Sequence, residues 1–169
     1  MVHSGNRFAL DFRDKLVTKA QRESSILRHV RRGNSAAAAG MDAAGNAFAG
    51  LLSMLAGYAI PAGYGIAAYR GWIGGVVSVD AAHRSRLARA YVAFHYLLTL
   101  FLQLVPYSLT GGAGVSVGIA AFAGERRTQY RGPRMRWLRI PFEAIMDAGY
   151  IYTISLPLFA AASLFEFAA

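Results

Sequence analysis

Apolar and polar positions fall into long blocks along this chain. Between Ala43 and Val79 the only charged residue is Arg70, and between Ala90 and Ala123 there is none. From Ile140 to Ala169 three acids but no basic residue occur. A membrane-crossing helix needs roughly 17–25 predominantly apolar residues. The first block has 37 residues, too many for one crossing and about right for two. Ile60-Pro61-Ala62-Gly63 is its natural break, because proline and glycine punctuate helices. The second block, 34 residues, divides at Thr110-Gly111-Gly112. The third gives one span centred on Ala148 to Phe165. The pattern therefore predicts an all-α, polytopic membrane bundle of about five transmembrane helices.

Residues 1–42 read differently. Phe8, Phe12, Leu16 and Ala20, then Ile26, Leu27 and Val30, recur at helical spacing between charges. This predicts an amphipathic helix on the membrane face, on a partner, or on the protein's own loops. The segment is too long and too acidic for a secretory signal. Gly33 to Gly45, with a run of four alanines, reads as a hinge or a weak helix. Two regions follow: a basic cytoplasmic segment, 1–42, and a transmembrane domain, 43–169.

Composition agrees with this division. Hydrophobic residues make up 55% of the 169 and charged residues 16%, with mean hydropathy +0.32. That apolar content excludes disorder and a nucleic-acid-binding domain for the whole chain. Without cysteine there is no disulfide, no thiolate metal site and no thiol nucleophile.

The 18 Lys and Arg against 9 Asp and Glu leave a net charge of +9. Residues 1–42 hold eight basic residues, Arg28, Arg31 and Arg32 among them, against four acids. Arg84, Arg86 and Arg89 form a second cluster, and Arg126, Arg127, Arg131, Arg134, Arg136 and Arg139 a third. With five spans and a cytoplasmic N-terminus, all three clusters lie inside, as the positive-inside rule asks. The expected location is a cytoplasmic (inner) membrane, crossed several times. Anionic lipid is an expected partner of the basic segments, Arg28, Arg31, Arg32, Arg126 and Arg127 in particular. Many tyrosines and both tryptophans fall near the expected span ends, where aromatic residues gather at interfaces.

Glycine carries the packing signal. Gly111, Gly112, Gly114 and Gly118 crowd one block, and Gly114 and Gly118 form a GxxxG pair. Small residues at this spacing let helices approach closely in lipid. The pair serves either internal packing or a contact with another chain.

The order of these features resembles the stage II sporulation protein M family of integral membrane proteins. Asn46 opens the first span, and Tyr69-Arg70-Gly71-Trp72-Ile73-Gly74 stands at the family's Asn-Gly step. Thr110 to Gly118 is similar to its glycine cluster, and Ser163-Leu164-Phe165-Glu166-Phe167 to its terminal acidic-aromatic pair. The family's His-Gly-x-x-Glu element falls on Thr99 to Gln103, where neither ionisable group is kept. Arg70 replaces an asparagine, and the N-terminal portion is shortened. The resemblance covers residues 44–167 and implies a scaffold that holds other proteins at the membrane.

Polar residues inside spans point to function, because charge there is costly and usually partnered. Arg70 is placed to pair with Glu166 or with a lipid or cofactor carboxylate, or to snorkel to an interface. His95, in an otherwise quiet span, either bonds a neighbouring helix or ligates a haem iron or chlorophyll-type magnesium. Glu143 and Asp147 share a helix face, the arrangement of paired acids, but just past Arg136 and Arg139 they read instead as partners of those arginines in interfacial ion pairing. No serine stands in a nucleophile frame and no Walker, metalloprotease or calcium-loop motif occurs, so an enzyme is not expected. The leading expectation is a non-catalytic scaffold or accessory subunit packing on other membrane proteins through Arg70, Gly111, Gly112, Gly114, Gly118 and Glu166. A pigment- or haem-contacting subunit and a small permease are the alternatives.

Overall fold

The computed structural model describes residues 1–123, 129–130, 132–135 and 137–167. The described residues are helical, joined by turns and two isolated bridges, Val79 to Ser85 and Arg134 to Pro141. Six α-helices run α1 (Arg7–Glu23), α2 (Ser25–Arg31), α3 (Ser35–Gly57), α4 (Ile60–Val76), α5 (Ala90–Phe122) and α6 (Phe142–Phe167).

Short polar side chains begin the first three helices. Asn6, Ser24 and Asn34 each accept a backbone N–H three residues on, satisfying a donor the first turn leaves open. Ser24 both ends α1 and starts α2. Gly33, at φ 71°, takes the left-handed conformation that turns the chain into α3. Pro61 sits in the first turn of α4, where its missing N–H costs nothing, so the break expected there is observed. Helix α3 straddles the expected boundary at 42/43, beginning eight residues before it.

The expected break at Thr110-Gly111-Gly112 is absent. Helix α5 runs through it, and through Pro106, for 33 residues without interruption. The predicted third and fourth spans are therefore one helix. Glycine pairs and prolines persist in such helices when neighbouring helices support the backbone. Here Pro106, Thr110, Ala113 and Gly114 are all buried by such neighbours. Two helices, α5 and α6, are long and apolar enough to cross a membrane.

Contacts fix the helix directions. Asn46, Gly50 and Gly57 of α3 meet Tyr107, Thr110 and Gly114 of α5 in that order, so the two run in parallel. Helix α4 runs back, with Gly63 at Val115, Arg70 at Tyr107 and Gly74 at Leu100. Helix α6 also runs back, Tyr152 bonding Ala47 and Ser163 bonding Asp42. The chain entry, the α4–α5 linker and the end of α6 thus share one end of a four-helix bundle. The α3–α4 turn and the α5–α6 connection share the other.

The packing is inverted relative to a water-soluble bundle. Buried positions are mostly small: Ala38, Ala39, Gly50, Ser53, Ala113, Gly114, Gly118, Ala144, Ala148 and Ala162, with Phe159 the one large ring among them. Large apolar side chains point outward, Phe101 62% and Phe122 69% exposed. Of the most apolar stretches of α5 and α6, only 17% and 28% is buried. A soluble core helix would hide most of that surface.

Helix α1 packs across the end that holds the α4–α5 linker. Phe12 and Leu10 join Val76, Val79 and Trp72, with the Phe12 and Trp72 ring centroids 4.4 Å apart. Phe8 stays 69% exposed, so α1 keeps an apolar edge outside the protein.

Candidate functional site, a polar cluster inside the bundle

All four long helices send polar side chains to one level of the bundle. On α3, Asp42 and Asn46 lie four apart and therefore on one face. The Asp42 carboxylate accepts from Asn46 Nδ2 at 2.7 Å and from Ser163 Oγ of α6 at 2.7 Å. Tyr107 of α5 donates its hydroxyl to Asn46 Oδ1 at 2.6 Å. The Arg70 guanidinium of α4 lies over the Tyr107 ring, 3.6 Å from its centroid. One turn along α5, Gln103 donates to the Glu166 carboxylate of α6.

Each member thus has a partner on another helix. A polar group buried without a hydrogen-bond partner is costly. The cluster therefore sets the register of all four helices. Arg70 and Glu166 belong to the same cluster but form no ion pair with each other. The expected pairing is replaced by the Arg70 cation on an aromatic face and by a Gln103–Glu166 hydrogen bond.

His95 lies three turns nearer the α4–α5 linker. Its ring stacks on Phe165 at 5.1 Å, and Nε2 is buried without a hydrogen-bond partner. Among the described residues no three His, Asp or Glu side chains gather as a metal-holding group.

The glycines divide sharply. A methyl group on Gly114 would meet the Met54 carbonyl oxygen at 2.0 Å, and one on Gly118 the Tyr58 carbonyl oxygen at 2.5 Å. Both glycines set α5 directly on the α3 backbone. Gly111 and Gly112 have nothing within 4 Å of such a methyl, nor do Gly65, Gly71 and Gly75 of α4. Those five are not required by packing within the chain.

Other expected sites are dispersed. Arg28, Arg31 and Arg32 are exposed on and after α2. Arg126, Arg127, Arg131 and Arg136 lie outside the described residues. Asp147 accepts from Tyr130 at 2.9 Å, and Glu143 lies against Gly132. Neither acid pairs with Arg139.

Asp42, Asn46, Gln103, Tyr107 and Ser163 are the members that the sequence alone did not single out as a site. Their signal is spacing: Asp42 with Asn46 and Gln103 with Tyr107 are i,i+4 pairs, and Ser163 with Glu166 is an i,i+3 pair. The charge tally had assigned Asp42 to the cytoplasmic segment. Compared with family models, curated proteins and solved structures, the chain matches none.

Proposed function

We propose that this protein is a non-catalytic integral membrane subunit that packs against other membrane proteins in a larger complex. Helices α3 to α6 form its membrane domain, and the basic N-terminal helices lie on the cytoplasmic side. The observation that carries the reading is the outer face of α4. Gly65, Ala68, Gly71 and Gly75 fall within one arc of that helix and are all exposed, with the exposed ring of Tyr64 at its start beside the α3–α4 turn and only small residues from Ala68 to Gly75 along its centre. A methyl group added at any of the three glycines would have nothing from the rest of the chain within 4 Å. Each glycine weakens a helix by about 1 kcal/mol relative to alanine. In lipid, such a smooth face is what another helix needs for close approach. The resemblance to the stage II sporulation protein M family implies the same class of role.

The test is native electrophoresis of the protein from its own membranes in mild detergent. Wild type is expected to migrate with partners, well above its 18.2 kDa. Gly71→Leu with Gly75→Leu is expected to release it while helicity stays unchanged. Wild type running alone would sink the proposal.

A further inference from the structure

A cavity of about 940 Å³ opens as a groove between α4 and α5, with Leu16 of α1 on its wall and Glu166 and Phe167 of α6 at its foot. Its volume lies at the upper end of roughly 300–1,000 Å³ for small-molecule sites. We propose that this groove binds one acyl chain of an anionic phospholipid, with the headgroup phosphate held by Arg86 at its mouth. The inference rests on the membrane placement argued above.

Three observations converge on that occupant. The first is polarity along the groove. Its α5 wall is a single helical face from Tyr91 to Tyr107. From Val92 to Gln103 that face rises about 16 Å, close to one leaflet of a hydrocarbon core of roughly 30 Å. Opposite it stand Ile73, Gly74 and Val77 of α4. Gly74 and Leu100 approach closely, narrowing the middle to a slot.

The second is the state of the polar groups. At the foot Gln103 bonds Glu166 and the Arg70 guanidinium lies over the Tyr107 ring with no described carboxylate partner, and between foot and mouth His95 lines the slot with Nε2 buried and unbonded. Tyr96 is also spoken for, donating to the Gly74 carbonyl at 2.5 Å. Arg86 is different. It is exposed, pairs with no described carboxylate, and rests 5.9 Å from the Tyr96 ring centroid.

The third is charge around the mouth. Lys15 and Lys19, one turn apart and exposed, lie to one side of Leu16 on α1, and Arg89 stands at the start of α5; Arg86 is the basic residue at the mouth that lines the groove itself. Of the acids nearby, Asp80 pairs with Arg84 and Asp14 with Arg13 and His83, while Asp11 and Glu23, four residues from Lys15 and Lys19, are in no ion pair among the described residues. A guanidinium beside a phosphate, with an apolar slot of leaflet depth below it, matches a phospholipid rather than a soluble anion.

Carbonate washing of membranes comes first; release of the protein would overturn the membrane placement itself. The retained protein is then purified, delipidated and titrated by native mass spectrometry with phosphatidylglycerol or phosphatidylcholine. Wild type is expected to hold one phosphatidylglycerol in clear preference. Arg86→Gln should weaken it about fivefold and Arg86→Glu roughly 25-fold, from the one and two unit charges changed. Arg84→Glu, away from the slot, should change it less. Leu100→Trp should block both lipids by filling the slot. Equal binding of the two lipids by wild type, an Arg86→Glu effect below about threefold, or unaltered binding by Leu100→Trp overturns the assignment.

Discussion

At the scale of single residues, glycine and tyrosine carry different work. Gly114→Ala forces a methyl against a backbone carbonyl that has no rotamer to yield, so α3 and α5 must separate. Overpacking of this kind costs about 1–3 kcal/mol. Gly112→Ala, two residues away with open space around it, should be neutral or stabilise by up to about 1 kcal/mol through helix propensity. Denaturation in mixed detergent followed by circular dichroism separates the two, and equal effects would contradict the assigned packing. Tyr107 joins two interactions that substitution can split. Tyr107→Phe removes the bond to Asn46 and keeps the ring under Arg70, a loss of about 0.6 kcal/mol for an average interhelical bond in a membrane. Tyr107→Leu removes both and should cost about 1 kcal/mol more, because the cation loses its aromatic face.

At the scale of elements, the sequence was informative where local chemistry decides and silent where neighbours decide. The α3–α4 break was legible because Pro61 starts a helix more readily than it continues one. The amphipathic α1 was legible from Phe8, Phe12 and Leu16, though not which surface it covers. The continuity of α5 was not legible, since Gly111-Gly112 reads as a break unless Gly114 and Gly118 are known to be clamped on α3. The polar cluster was only half visible, because a lone Gln103 or Asn46 gains meaning from the helix opposite it.

Docking of α1 makes its own prediction. A hydrogen bond from Arg13, and then one from His83, hold the Asp14 carboxyl below the usual carboxylate range. A group depressed in the folded state stabilises at pH above its unfolded value of 3.8 and loses that contribution as pH falls through the folded value. The clasp between α1 and the linker should therefore hold at neutral pH and loosen only once pH falls below 3.8. Trp72, packed on Phe12, reports it in a Trp137→Phe background. Its emission should shift on acidification, and Asp14→Asn should show that shift already at neutral pH. Wild-type emission in Asp14→Asn at neutral pH would refute the clasp.

At the scale of the whole molecule, an unbroken α5 changes where the charges lie. Five crossings would put every basic cluster on one side. Four antiparallel crossings put the N-terminal segment and the α4–α5 linker, with eight and three basic residues, at one end. The six arginines of the α5–α6 connection then lie at the other. Under the proposed membrane placement, eleven against six would still orient the N-terminus to the cytoplasm by the positive-inside rule, with a smaller margin. Helix α4, at 17 residues, reaches the lower end of the length a crossing requires. Because the chain has no cysteine, single substitutions map this directly. Ala81→Cys in the linker and Trp137→Cys in the α5–α6 connection occupy exposed positions. In inverted membrane vesicles an impermeant maleimide should label Ala81→Cys and spare Trp137→Cys, and in intact cells the reverse. Labelling of both from the same side would restore five crossings and require α5 to break within the bilayer. That outcome would turn the part of α5 beyond Gly112 back on itself and undo the Gly114 contact on α3, while the Tyr107 to Asn46 bond, on the near side of the break, would remain.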